Sequence, residues 1–219
     1  MVSGSWARYA PLAGLVAVVL LVVSVIVTGF DSVDTNDSTA KVVKFWLDND
    51  SQQIAGAILG AIATVFLLWF LGSLRSAFRA AEGGTGRLSS IAYAGGIVLV
   101  GFALVDSALQ FAVAESAGDV PPVVTQTLST LYSDFFFGFP VGIGTLLLAS
   151  ALVILRTGVL PAWVGWAALV LGIISLTPLG FFAFFVVFAW IAVVSVMLFQ
   201  RESRPVAPAP AAPTTSPTG

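Results

Sequence analysis

The sequence predicts an all-α, polytopic membrane protein. It reads as a six-transmembrane-helix bundle with both termini cytoplasmic and a short outer amphipathic helix between spans 1 and 2. Three observations lead there. Hydrophobic residues make up 58% of the 219, charged residues only 9%, and the mean hydropathy is +1.02. A soluble domain carries about 25% charge to cover its surface, so this chain has too little polar surface for water alone. Long apolar stretches recur along the chain, and the basic residues between them sort to one side when those stretches are threaded through a bilayer.

A spanning helix needs roughly 20 apolar residues. The first span is expected at about 9–29, behind Arg8. A secretory signal is the rival reading, but its apolar core is usually about 7 to 15 residues and no A-x-A pattern follows here. The next segment, 30–53, is polar and acidic. Within it, TAKVVKFWLDND places Val42, Val43, Trp46 and Leu47 within one to two helical turns of each other, with Ser38 as a candidate N-cap for a short amphipathic helix. Such a helix would lie on the membrane surface with Trp46 at headgroup level.

The second span is expected at 54–74, followed by a basic turn containing GGTG at 83–86. The third is expected at 91–114, ended by the acidic loop and the Pro121-Pro122 pair. The polar patch Tyr132, Ser133, Asp134 marks entry into a fourth span at 135–155, with a kink at Pro140. Some forty nearly uncharged residues follow. Thr177-Pro178-Leu179-Gly180 divides them into a fifth span at 161–177 and a sixth at 180–199, with Pro161 in the first turn of the fifth. A re-entrant pair is the alternative for 160–199. Residues 201–219, rich in Pro, Ala, Thr and Ser, form no apolar pattern and are expected to be a disordered cytoplasmic tail.

Short cytoplasmic loops carry the excess of Lys and Arg. With the N-terminus inside, the inner segments hold Arg8, Arg75, Arg79, Arg87, Arg156, Arg201 and Arg204, and the outer segments hold only Lys41 and Lys44. An odd number of spans would misplace a terminal segment, so the charges favour an even count. The expected location is a bacterial plasma membrane.

The chain has no cysteine and no histidine. That removes thiolate chemistry, the usual zinc sites and Ser-His-Asp catalysis. No cofactor or metal is expected, and the scattered bases exclude a nucleic-acid surface. The partners expected are the lipid bilayer and either a second copy or another membrane protein.

Asp106 is the sole carboxylate inside an expected span. An ionisable residue in hydrocarbon is costly, and therefore a candidate functional site. Gln110 lies one helical turn away on the same face. The second span presents Gly56, Gly60 and Thr64 at i, i+4, i+8, and the fourth presents Gly138 and Gly142; small residues at this spacing let helices approach closely. These features suggest a polar cluster of Asp106, Gln110, Tyr132 and Asp134 enclosed by helices packed through Gly56, Gly60, Gly138 and Gly142. Two roles stay open for it. Asp106 either contacts a proton, cation or ligand, or joins Gln110 in pinning helices by interhelical hydrogen bonds.

The function expected is that of an accessory, sensory or structural membrane component, with a small transporter or permease subunit using Asp106 as the alternative. Intramembrane hydrolysis has no motif here beyond a distant pairing of Asp106 with Asp134. The stretch FLLWFLGSLRSAFRAAEGGTGRLSSIAYAGG, at 66–96, and the element FWLDND, at 45–50, resemble a group of actinobacterial multi-pass membrane proteins of unknown function. The likeness covers roughly residues 5 to 200. It implies a plasma-membrane, six-span layout and carries over no site residue.

Overall fold

The computed structural model describes residues 7–202; beyond residue 202, the expected disordered tail lies outside the described residues. Among the described residues all regular structure is helical. A 3-10 turn, Ala7–Leu12, leads into α1 (Ala13–Thr28), followed by α2 (Thr39–Asp48), α3 (Asp50–Glu82), α4 (Arg87–Ser116), α5 (Pro122–Asp134), α6 (Phe139–Thr157), α7 (Ala162–Ser175) and α8 (Gly180–Glu202). Among the described residues five segments are long and apolar enough to cross a membrane: Tyr9–Thr28, Asp50–Glu82, Arg87–Ser116, Pro122–Thr157 and Gly180–Arg201. The apolar α7 has 14 residues, about 21 Å at 1.5 Å per residue.

Helix α3 outruns its apolar stretch because RSAFRAAE consists largely of good helix formers. It stops at Gly83, where φ is +65° and a side chain would be strained. Its final residue then caps the next helix. The Glu82 carboxylate accepts the backbone N–H groups of Leu88 and Ser89, both at 2.9 Å, two donors that α4 cannot satisfy internally. Arg75 lies over the Tyr93 ring, 4.9 Å from its centroid. This end of the bundle also holds Arg87, Arg156 and Arg201 and is called the arginine end below; the opposite end, beneath α2, is called the α2 end.

The α5–α6 connection differs from the expected kink at Pro140. The break is a 3-10 turn at Phe135–Gly138, and Pro140 sits in the first turn of α6. A missing N–H costs nothing there, so the proline starts the helix instead of bending it. Pro161 likewise precedes α7 as its N-cap.

Neighbouring long helices run antiparallel. Helix α7 lies along α6 from Gly165, against Ile154 and Leu155, through Gly172, against Leu147 and Leu148, to Leu176, which covers Gly144. On its other flank Trp190 of α8 donates to the Val164 carbonyl at 3.2 Å. Helices α4 and α6 cross at backbone contact. A Cβ on Gly95 would lie 2.5 Å from the Leu146 nitrogen, and one on Gly142 would lie 2.6 Å from the Leu99 nitrogen. The main core gathers Phe70, Leu74 and Phe78 of α3, Ile154 of α6, and Val194 and Leu198 of α8.

Helix α2 forms where expected, and the Ser38 hydroxyl accepts the Lys41 N–H at 3.4 Å. Ahead of it, the Lys41 ammonium bonds the Asp37 carboxylate at 2.8 Å and holds that carboxyl below the usual carboxylate range. Trp46 does not sit at a lipid interface. It is only 2% exposed, donates from Nε1 to the Ser129 hydroxyl at 3.0 Å, and meets the Tyr132 ring edge-on at 5.8 Å. The reason lies in helix length. At 30 residues α4 is about 45 Å long, so it reaches α2, and Val113, Ala114 and Ala117 give the apolar face of α2 a protein partner.

Candidate functional site

Below α2 the helices part. Helices α1 and α8 meet near the arginine end, where Gly14 admits Ser195 and Phe70; a Cβ at Gly14 would fall 2.1 Å from the Ser195 oxygen. Toward the α2 end they diverge, and α8 makes no close backbone approach to α4. The gap is a cavity of about 590 Å³.

Its wall has two chemical faces. The polar face comprises Ser24 of α1, Gln53 of α3, Asp106, Ser107 and Gln110 of α4, and Tyr132 of α5. The other is aromatic, with Phe136 and Phe139 at the start of α6 and Phe181, Phe184, Phe185 and Phe188 on α8. The rings brace one another. Phe184 meets Phe188 at 4.9 Å, Phe136 at 5.3 Å and Phe139 at 5.3 Å between centroids, all edge-on, the favourable arrangement for ring quadrupoles. Trp46 forms part of the roof, and Asp31 stands in the α1–α2 loop beside it.

The small residues of α3 hold the polar face together. The Ser24 hydroxyl donates to the Gly56 carbonyl at 2.8 Å, and a Cβ on Gly60 would lie 2.7 Å from the Ser107 oxygen. Gln53 and Gln110, both buried, form an interhelical pair: the Gln110 amide donates to Gln53 Oε1 at 2.7 Å, and Gln53 Nε2 donates to the Thr28 carbonyl at 3.3 Å. Helices α1, α3 and α4 are thus bound through amides and a hydroxyl.

Asp106 takes no part in that network. Among the described residues nothing donates a hydrogen bond or forms an ion pair to its carboxylate, and the ion pairs Lys41–Asp37 and Lys44–Asp48 lie on α2 and its approach. No lysine or arginine among the described residues lines the cavity. The two neighbours singled out in the sequence thus behave differently: Gln110 is spent on helix packing, while Asp106 faces open space.

Of the predicted cluster, Asp106, Gln110 and Tyr132 line the cavity together and Asp134 does not. Asp134 is exposed at the end of α5. Two residues beyond Tyr132, it stands about 200° further round the helix, given 3.6 residues per turn, and so points away. Gly138 and Gly142 lie against α4, where a Cβ would enter the Phe102 ring and the Leu99 backbone respectively. Sequence reasoning missed Gln53, Ser24 and the phenylalanine wall. Gln53 had a readable signal, since it precedes Gly56, Gly60 and Thr64 by 3, 7 and 11 residues, which places it on one helical face. The role of the α8 phenylalanines had none, because an apolar run facing a cavity reads like one facing lipid. Comparison with known proteins returns no match to any family, curated protein or solved structure.

Proposed function

We propose that this is a plasma-membrane protein of six crossings, with both termini cytoplasmic, that binds a small ligand in the Asp106 cavity as a sensory or accessory component. The observation that carries the ligand site is an unpartnered carboxylate, Asp106, facing a cavity of about 590 Å³ beside a glutamine pair that is engaged between helices. Ligand pockets typically measure about 300–1,000 Å³, are mostly apolar and contain a few placed polar groups. A residue kept only for packing would be expected to behave as Gln110 does.

Six crossings are supported by the path of α7, which accompanies α6 from Ile154 back to Gly144 and so covers most of the same depth. The orientation is supported by the seven-to-two division of basic residues, and the resemblance to actinobacterial multi-pass proteins accords with both. The partners in this reading are the bilayer and a second copy or another membrane protein. Transport is the second reading, favoured by the depth of Asp106 within α4 and by closure of the bundle at the arginine end beneath the cavity.

The absence of native cysteine makes single-cysteine labelling the direct test. In intact cells, Asp48→Cys should react with a membrane-impermeant maleimide from outside and Arg79→Cys only after permeabilisation. Labelling of both from one side overturns the orientation. Ser107→Cys, on the cavity wall, should react with a small methanethiosulfonate at least tenfold faster than Ser150→Cys in the sealed core. Equal rates would remove the cavity as a binding site.

A further inference from the structure

The chemistry of the cavity wall selects among ligand classes. An anion is disfavoured, because among the described residues the wall contains two carboxylates, Asp31 and Asp106, and no cationic side chain. A bare inorganic cation is a poor match too. Hard metal ions gather about six or more converging oxygens at short range, whereas here one face is hydrocarbon and the volume far exceeds a single ion. The Gln53 carbonyl oxygen, moreover, is already occupied by the Gln110 amide.

What the cavity complements is a molecule with one cationic, hydrogen-donating end and an apolar remainder. The Asp106 carboxylate would accept a charge-assisted hydrogen bond, stronger than a neutral one. Phenylalanine faces attract cations and also accommodate hydrocarbon or aryl groups. Resting on the reading of the cavity as a ligand site, we propose that its ligand is a protonated amine bearing an aromatic or short alkyl body, with the ammonium on Asp106 and the body against the rings of Phe136, Phe184 and Phe188.

A matched series tests this on wild-type protein in phosphatidylcholine nanodiscs, using the ligand-dependent rise in unfolding temperature. The probes are 4-phenylbutylammonium, the neutral 4-phenylbutanol and the anionic 4-phenylbutyrate, which share a body and differ in the head. The ammonium should bind at least tenfold more tightly than the alcohol, and the carboxylate should be weakest. In Asp106→Asn the ammonium's advantage should fall below threefold while the alcohol still binds. Equal binding of ammonium and alcohol to the wild type overturns the amine inference and leaves a neutral-ligand cavity standing. Binding of none of the three overturns both. The wild-type comparison decides even if the variant fails to fold. Repeating the titration with phosphatidylethanolamine in the nanodisc separates two sources of ammonium: competition points to a lipid headgroup, and its absence to a free amine.

Discussion

The two ends of the bundle are built from the same helices with opposite results. At the arginine end Phe70, Phe78, Ile154 and Val194 are wholly buried, and Leu74 and Leu198 are 2% exposed. At the α2 end the same α3, α4 and α8 enclose a cavity of about 590 Å³. The difference follows from where small and large side chains face one another. Gly14 brings α1 onto α3 and α8 at the closed end. At the open end the glycines of α3 draw α1 and α4 together, while α8 begins with bulky phenylalanines and stays away from the α4 backbone. Tight packing on one flank and bulk on the other leave space between them. Straight helices that meet at one end of a bundle and are held off by bulk at the other must tilt apart.

If this contrast is real, equal truncations should have unequal costs. Phe70→Ala opens a void in a filled core and should destabilise by about 3 kcal/mol, the lower part of the range for buried Phe→Ala. Phe184→Ala enlarges a space that already exists and should cost less than half as much. Unfolding with a denaturing detergent compares them, and similar losses would break the distinction. The next largest effect is expected at the α4–α6 crossing. Gly142→Ala pushes a methyl into the Leu99 backbone and should cost about 2 kcal/mol as an overpacking change. Gly101→Ala on the same pair of helices meets nothing within 4 Å and should be neutral or stabilising by up to about 1 kcal/mol. A neutral Gly142→Ala in the same unfolding assay would disprove the close crossing. Smallest is the roof: Trp46→Phe removes the bond to Ser129 and should cost about 1 kcal/mol, with faster cysteine labelling at Ser107→Cys if α2 covers the cavity.

Much of the architecture was legible in the sequence. Hydropathy located every long helix, because a run such as residues 91–114 can satisfy its backbone in lipid only by coiling. Turn residues placed the breaks at 83–86 and 177–180. Asp106 stood out because a lone carboxylate in an apolar run contradicts its surroundings. The path of Trp46 was not legible. Its spacing suits a membrane surface and a protein surface equally, and only the packing of α2 on the end of α4 chose between them. Asp134 went astray because adjacency along the chain was read as adjacency in space, and a helix turns positions two residues apart to nearly opposite sides.

The sequence by itself determined that this chain is helical and apolar enough for a bilayer, and that one carboxylate and one glutamine share a face of α4. Periodicity and composition suffice for that, since both are local. Only the tertiary structure decided that Gln110 is consumed by Gln53 while Asp106 is left facing a phenylalanine-lined space. Whether a polar group is paired depends on which residues of other helices reach it. That is settled by interhelical distance, which small and bulky side chains set jointly across segments far apart in the chain.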